Sequence, residues 1–129
     1  MKKETKIELN DYQKEVATTL IEFIKENKNQ TIYYSDLAEK VGRSKRAAQS
    51  MGATLGKISR LCNKCNLPML SAIVCNKRKH NPSEGFFRLY SELKNNGKEL
   101  PSNEEKYKIL RKEQKAVKMT DWSKLKSYL

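Results

Sequence analysis

The chain has 129 residues, with 27 Lys or Arg against 15 Asp or Glu, so its formal net charge is +12 at neutral pH. This length fits one domain, and three cysteines are an odd number that argues against a disulfide framework. No apolar run could span a membrane and the first residues do not have the pattern of a secretory signal, so we expect a cytoplasmic protein whose positive charge favours an anionic partner such as nucleic acid.

The first predicted element is an amphipathic helix. Asn10 or Asp11 is a suitable N-cap, and an apolar stripe then continues to about Asn27. The β-branched and aromatic residues 31–34 predict a short strand. Ser35 is expected to cap a second helix, which Gly42 ends.

A basic helix is predicted next, with Ser44 as its N-cap. At 100° per residue, one face of this helix is polar and mostly cationic and the other is apolar. Gly52 and Gly56 lie inside the pattern and indicate either a break between two helices or the close approach of another backbone. The polar face holds Arg46, Gln49, Ala53, Lys57, Arg60 and Lys64, and the apolar face holds Ala47, Met51, Leu55, Ile58, Leu61 and Cys62.

The positive charge is concentrated in the middle of the chain. Between Lys40 and Ser83 there are ten Lys or Arg and no Asp or Glu, so this third supplies +10 of the total of +12. A lysine-rich but solvated surface would spread its cations evenly. The concentration therefore favours a face that binds a polyanion.

After the basic helix, residues 69–75 are apolar and predict a strand. Residues 76–85 form a polar, basic loop, and the run 86–90 fits either a return strand or the start of a helix. Ser102 is expected to cap a last long helix that reaches about Val117, followed by a final turn near Trp122.

This order of elements predicts a mainly α-helical fold with a small β-hairpin, arranged as a winged helix-turn-helix. We expect a winged-helix nucleic-acid-binding domain over residues 1–93. Residues 94–129 would form a C-terminal helical extension that either packs on this domain or mediates a homodimer.

In such a fold the third helix enters a groove of double-stranded DNA and the basic loop contacts the neighbouring backbone. Arginine and glutamine on the helix can reach base edges, and lysines neutralise phosphates. Six to eight phosphate contacts would give binding a log–log salt slope of roughly −5 to −7. The predicted nucleic-acid-binding residues are Tyr34, Arg43, Ser44, Lys45, Arg46, Gln49, Lys57, Arg60, Lys64, Lys77, Arg78 and Lys79.

Three cysteines and the single histidine offer four ligands of the types that zinc accepts, namely Cys62, Cys65, Cys75 and His80. Their spacing matches no specific zinc-finger pattern, and Cys62 and Cys75 also belong to apolar segments, where a thiol is an ordinary small hydrophobe. We therefore expect no cofactor, with zinc as the alternative. No phosphate-binding glycine loop or nucleophile elbow is present, so we expect no catalysis.

About fifty residues in the middle of the chain resemble the C-terminal domain of the O6-alkylguanine DNA alkyltransferases and alkyltransferase-like proteins. The resemblance runs from Tyr34-Ser-Asp-Leu-Ala-Glu-Lys-Val-Gly42 through Lys45-Arg-Ala-Ala-Gln-Ser-Met-Gly52 to Ile73-Val-Cys75. It implies that Tyr34 lies where that family rotates a nucleotide out of the duplex, and that Cys75 lies where it accepts an alkyl group.

The family's Pro-Cys-His-Arg signature is replaced here by Val74-Cys75-Asn76-Lys77. Without the histidine nothing activates the thiol, so alkyl transfer through Cys75 is only a minor alternative to DNA binding without catalysis.

The segments 55–62, 67–77 and 82–86 and the late Asp121-Trp122 also resemble a set of small bacterial and phage proteins, some of them encoded beside HNH nucleases of defence systems. This resemblance implies a phage or defence-associated regulator in a bacterial or phage-infected cell. Two alternatives stay open: a phage-encoded inhibitor that docks on a nuclease or its guide RNA, and an alkyltransferase-like binder of DNA lesions.

Overall fold

The computed structural model describes residues 7–27, 30–43, 51–77, 82 and 84–129. Within these ranges the protein is mainly helical, as predicted, with two very short strands. None of the described helices combines the length and the apolar character that crossing a membrane requires. The elements are α1 (Asp11–Glu26), β1 (Ile32–Tyr33), α2 (Tyr34–Lys40), α3 (Met51–Lys64), a 3-10 helix (Leu70–Ile73), β2 (Val74–Cys75), α4 (Glu84–Lys94), α5 (Asn103–Met119) and α6 (Ser123–Lys126).

Local capping signals fix the ends of the two long helices. Asn10 caps α1 through a reciprocal pair of hydrogen bonds with Gln13, because its side chain accepts from the Gln13 N–H and its own N–H donates to the Gln13 side chain. Ser102 caps α5 by accepting from the backbone N–H of Glu105 at 3.2 Å. Both predicted N-caps are confirmed.

The second helix begins earlier than predicted. The extended residue Tyr33 precedes the first helical residue, Tyr34, so Ser35 lies inside α2 and the prediction that it caps the helix is wrong. The predicted end is confirmed, because Gly42 has φ +77° and lets the Arg43 N–H donate to the Ala38 carbonyl at 2.9 Å.

The predicted β-hairpin is wrong. Strands β1 and β2 pair in parallel, with Ile32 opposite Val74 and Tyr33 opposite Cys75, whereas a hairpin is antiparallel. Most of the predicted strand 69–75 is the 3-10 helix, whose residues are buried on all sides. A short run that is apolar at every position has no periodicity that separates the two conformations. Residues 86–90 belong to α4, which decides the alternative left open for them.

One hydrophobic core contains buried residues of every described helix, α2 included, and it extends from Leu9 to Leu125. The 3-10 helix lies between α3 and α5, and the hydroxyls of Ser59 and Ser71 form a buried 2.7 Å hydrogen bond across the contact with α3. The C-terminal segment contributes Leu110, Val117, Trp122 and Leu125 to this core. Residues 94–129 therefore pack on the preceding elements.

Candidate nucleic-acid interface

Helix α3 has the two faces that its periodicity predicts. Met51, Leu55, Ile58, Leu61 and Cys62 are buried, and they hold the helix against the core. The other face is exposed at Ala53, Lys57, Arg60 and Lys64. Neither Gly52 nor Gly56 breaks the helix, and among the described residues no backbone outside α3 lies within 4 Å of where their Cβ atoms would be.

The exposed face of α3 forms one wall of an open groove whose other wall is α4. This α3–α4 groove has a volume of about 740 Å³. Apolar side chains line part of it, including Phe86 and Leu89. Its polar lining consists mainly of Tyr34, Lys57, Arg60, Ser71, Arg88 and Glu92.

Among the described residues that line the groove there are three cations and one carboxylate. Lys57 and Arg60 are one turn apart on α3, and Arg88 is an exposed residue of α4. The carboxylate is Glu92, which lies one turn after Arg88 and binds the Arg60 guanidinium with Nη2 and Oε2 2.6 Å apart. The lining therefore has an excess of positive charge.

Tyr34 belongs to the same groove. It is the first residue of α2, is half-buried, and lines the groove together with residues of α3 and α4. Its neighbour Tyr33 pairs with Cys75, but the Cys75 side chain is buried and does not line the groove. Tyr34, Lys57 and Arg60 are thus the predicted binding residues that the structure brings together.

The other predicted binding residues lie elsewhere or outside the described ranges. Arg43 stacks over the ring of Tyr12 in α1, with its guanidinium carbon 4.6 Å from the ring centroid. Lys64 is on the last turn of α3 and Lys77 follows β2, and both are exposed without lining the groove. Ser44, Lys45, Arg46, Gln49, Arg78 and Lys79 lie outside the described residues.

Arg88 and Glu92 were not among the predicted binding residues. Two side chains four residues apart lie on the same face only in a helix, and the sequence left residues 86–90 open between strand and helix. A helix assignment for α4 would have identified the pair as neighbours. Their position opposite α3 still depends on tertiary contacts.

The three cysteines are free and buried. Burial raises the pKa of the Cys62 thiol to about 12, against a weaker opposing hydrogen bond from the Leu70 backbone. Burial also raises the pKa of Cys75, although a hydrogen bond with the Thr31 side chain and the charge of Lys118 oppose the shift. Both thiols are therefore less ionised at neutral pH than an exposed cysteine, which lowers their nucleophilicity.

The alternative zinc set is not brought together among the residues that the structure describes. No group of three or more His, Cys, Asp or Glu side chains in the described ranges is placed to hold a metal ion. Cys62 and Cys65 lie near the end of α3 and Cys75 lies in β2, while His80 is outside those ranges.

Comparisons of the chain with protein-family models, curated proteins and solved structures find no match.

Proposed function

We propose that the protein binds double-stranded DNA without catalysis, along the exposed face of α3 and the α3–α4 groove. The observation that carries this proposal is the placement of Lys57, Arg60 and Arg88 around one open groove. Cations that line a single concave surface attract a polyanion, and phosphate contacts provide most of the affinity of a DNA-binding protein.

The distribution of charge supports the same proposal. The acid-free segment between Lys40 and Ser83 contains α3, and the carboxylate that pairs with Arg60, Glu92, comes from α4. A surface that only needs to be solvated gains nothing from concentrating its cations in one segment. A surface that lies along a sugar–phosphate backbone does, because the concentrated cations attract the phosphates.

More specifically, α2, the turn at Gly42 and the basic helix would form a helix-turn-helix. The basic residues 44–49 would lie toward the N-terminal end of the recognition helix, where side-chain charge and free backbone N–H groups both attract phosphate. The basic segment after β2, which carries Lys77, Arg78 and Lys79, would serve as the wing.

Fluorescence anisotropy with a labelled random duplex tests the proposal. We expect affinity to fall steeply between about 50 and about 200 mM salt, with a log–log slope of roughly −5 to −7. Lys57→Ala should make the slope shallower by about one and weaken binding to all sequences. Lys112→Ala is the matched control, because Lys112 is an exposed cation of α5 that does not line the groove.

Two results would replace this proposal. If the protein does not bind bare duplex at about 50 mM salt but binds a purified nuclease or its guide RNA, the chain is an interaction module. If it binds duplex containing O6-alkylguanine far better than unmodified duplex, it is a lesion binder, and a mass increase on Cys75 would then indicate alkyl transfer. Similar effects of Lys57→Ala and Lys112→Ala would place the interface away from the groove.

A further inference from the structure

The ion pair between Arg60 and Glu92 crosses the α3–α4 groove. Its nitrogen and oxygen atoms are 2.6 Å apart, and the two residues are separated by 32 positions in the chain. The side chains are 46% and 56% exposed, so both remain accessible to a ligand in the groove.

The ion pair between Arg60 and Glu92 is expected to contribute little to the free energy of folding. An exposed ion pair contributes only a small amount to folding because water and salt screen it and because two long side chains lose freedom. Helices α3 and α4 already meet through buried side chains such as Leu55 and Leu89. The ion pair does restrict the orientation of the planar guanidinium group of Arg60.

Arginine has five N–H donors in a fixed fork, and a carboxylate on one part of the fork leaves other donors available. Two such donors match the O6 and N7 acceptors of guanine in the major groove of DNA. Lysine carries a compact charge that suits phosphate but has no fixed fork, so Lys57, one turn earlier on the same face, is not equivalent to Arg60.

We propose that Arg60 reads guanine in bound DNA and that Glu92 is the positioning residue that holds its guanidinium for this contact. The inference rests on the proposed function, and it adds a base preference to a site whose other cations contact phosphate. Glu92 has a second effect on the same site, since its negative charge disfavours a phosphate beside Arg60 and leaves that arginine for a base edge.

The test compares binding to an alternating G·C duplex and an alternating A·T duplex of equal length at one salt concentration. We expect the wild-type protein to prefer the G·C duplex by about tenfold. Arg60→Lys keeps the charge and removes the fork, so it should bind the A·T duplex about as well as wild type but lose most of the preference. Glu92→Gln should reduce the preference by about threefold or more while binding to the A·T duplex stays equal or becomes tighter.

Glu15→Gln is the matched control for Glu92→Gln. It makes the same change in net charge at an exposed position of α1 that does not line the groove, and it should leave the preference unchanged. Thermal unfolding of each variant checks that the fold is retained.

The outcomes separate this inference from the proposed function. If the wild type binds duplex with a steep salt dependence but without a G·C preference, the inference is overturned and DNA binding stands. The inference is also overturned if Arg60→Lys keeps the preference, or if Glu92→Gln tightens binding to both duplexes equally, because Glu92 then only competes with phosphate. Failure to bind either duplex overturns the proposed function itself.

Discussion

At the scale of single residues, burial changes the chemistry of Cys62 most clearly. The side chain is fully buried near the end of α3, and burial raises its pKa from 9.0 to about 12. A thiol in this environment is a small hydrophobic group that contributes to packing, and it reacts slowly with electrophiles at neutral pH.

The shifted pKa of Cys62 predicts a loss of stability at alkaline pH. Below about pH 9 the thiol is protonated in both states, so its contribution is complete. Between about pH 9 and 12 the unfolded chain releases this proton while the folded chain keeps it, and the free energy of unfolding should fall by up to about 1.4 kcal/mol per pH unit from this group. Urea unfolding at several pH values in this window measures the slope.

Cys62→Ala provides the comparison. This variant lacks the ionisable group, so its free energy of unfolding should fall less steeply with pH, although it is lower at neutral pH because of the smaller side chain. Ionisation of lysines and tyrosines affects both proteins and cancels. Parallel curves for the two proteins would contradict the assigned cause.

At the scale of elements, α5 holds the 3-10 helix through its polar side chains. Glu113 is buried and accepts a hydrogen bond from the backbone N–H of Met69 at 2.9 Å, and Lys94 lies 3.4 Å from the same carboxylate oxygen. The next residue, Gln114, donates to the Ala72 carbonyl at 3.0 Å. These bonds satisfy backbone groups that a segment of one short turn cannot pair internally.

Glu113→Ala should therefore destabilise the protein by about 1–3 kcal/mol, because the Met69 N–H loses its acceptor in a buried place. Glu113→Gln keeps an oxygen that can accept this hydrogen bond and removes only the charge next to Lys94, so it should cost less than Glu113→Ala. Urea unfolding of both variants tests the difference. Equal losses would show that the ion pair matters more than the backbone hydrogen bond.

Helix α3 contains two glycines whose substitution should stabilise it. A Cβ at Gly52 would meet no atom of the described residues within 4 Å outside the backbone of α3, and a Cβ at Gly56 would lie 4.0 Å from the Leu89 side chain, which is an ordinary contact. Alanine at either position should raise the free energy of unfolding by about 1 kcal/mol, the usual difference in helix propensity. If chemical denaturation showed a lower free energy of unfolding for these variants, the folded structure would not accept a side chain at these positions.

At the scale of the whole molecule, the C-terminal helices complete the core. Leu110, Val117, Trp122 and Leu125 are buried, and the Trp122 indole N–H donates to the Val117 carbonyl at 3.1 Å. Each large apolar side chain contributes roughly 1.5–3 kcal/mol on burial. Together they contribute an amount comparable to the roughly 5–15 kcal/mol that holds a small domain folded.

Removal of residues 103–129 should therefore abolish cooperative folding. We expect the truncated chain to lose the sharp thermal transition measured by circular dichroism and to show collapsed amide dispersion in NMR spectra. Met119→Ala is the control, because the Met119 side chain is 77% exposed, and it should leave the transition in place. A truncated chain that unfolds cooperatively would mean that residues 1–102 form an independent domain.

The sequence by itself determined the features that depend on neighbours within one helical turn. The caps at Asn10 and Ser102 follow from hydrogen bonds between residues three positions apart, and the buried and exposed faces of α3 follow from the helical period of its apolar residues, both of which a single chain displays directly. The concentration of charge between Lys40 and Ser83 is likewise a property of the chain alone.

Tertiary structure alone decided the rest. Burial on every side gave residues 70–73 a 3-10 conformation in place of a strand, and the pairing of Ile32 with Val74 made the small sheet parallel. The placement of α4 against α3 brought Glu92 to Arg60 and created the groove. These outcomes depend on contacts between residues from 12 to 44 positions apart, and no periodicity within a short window encodes which distant elements will meet.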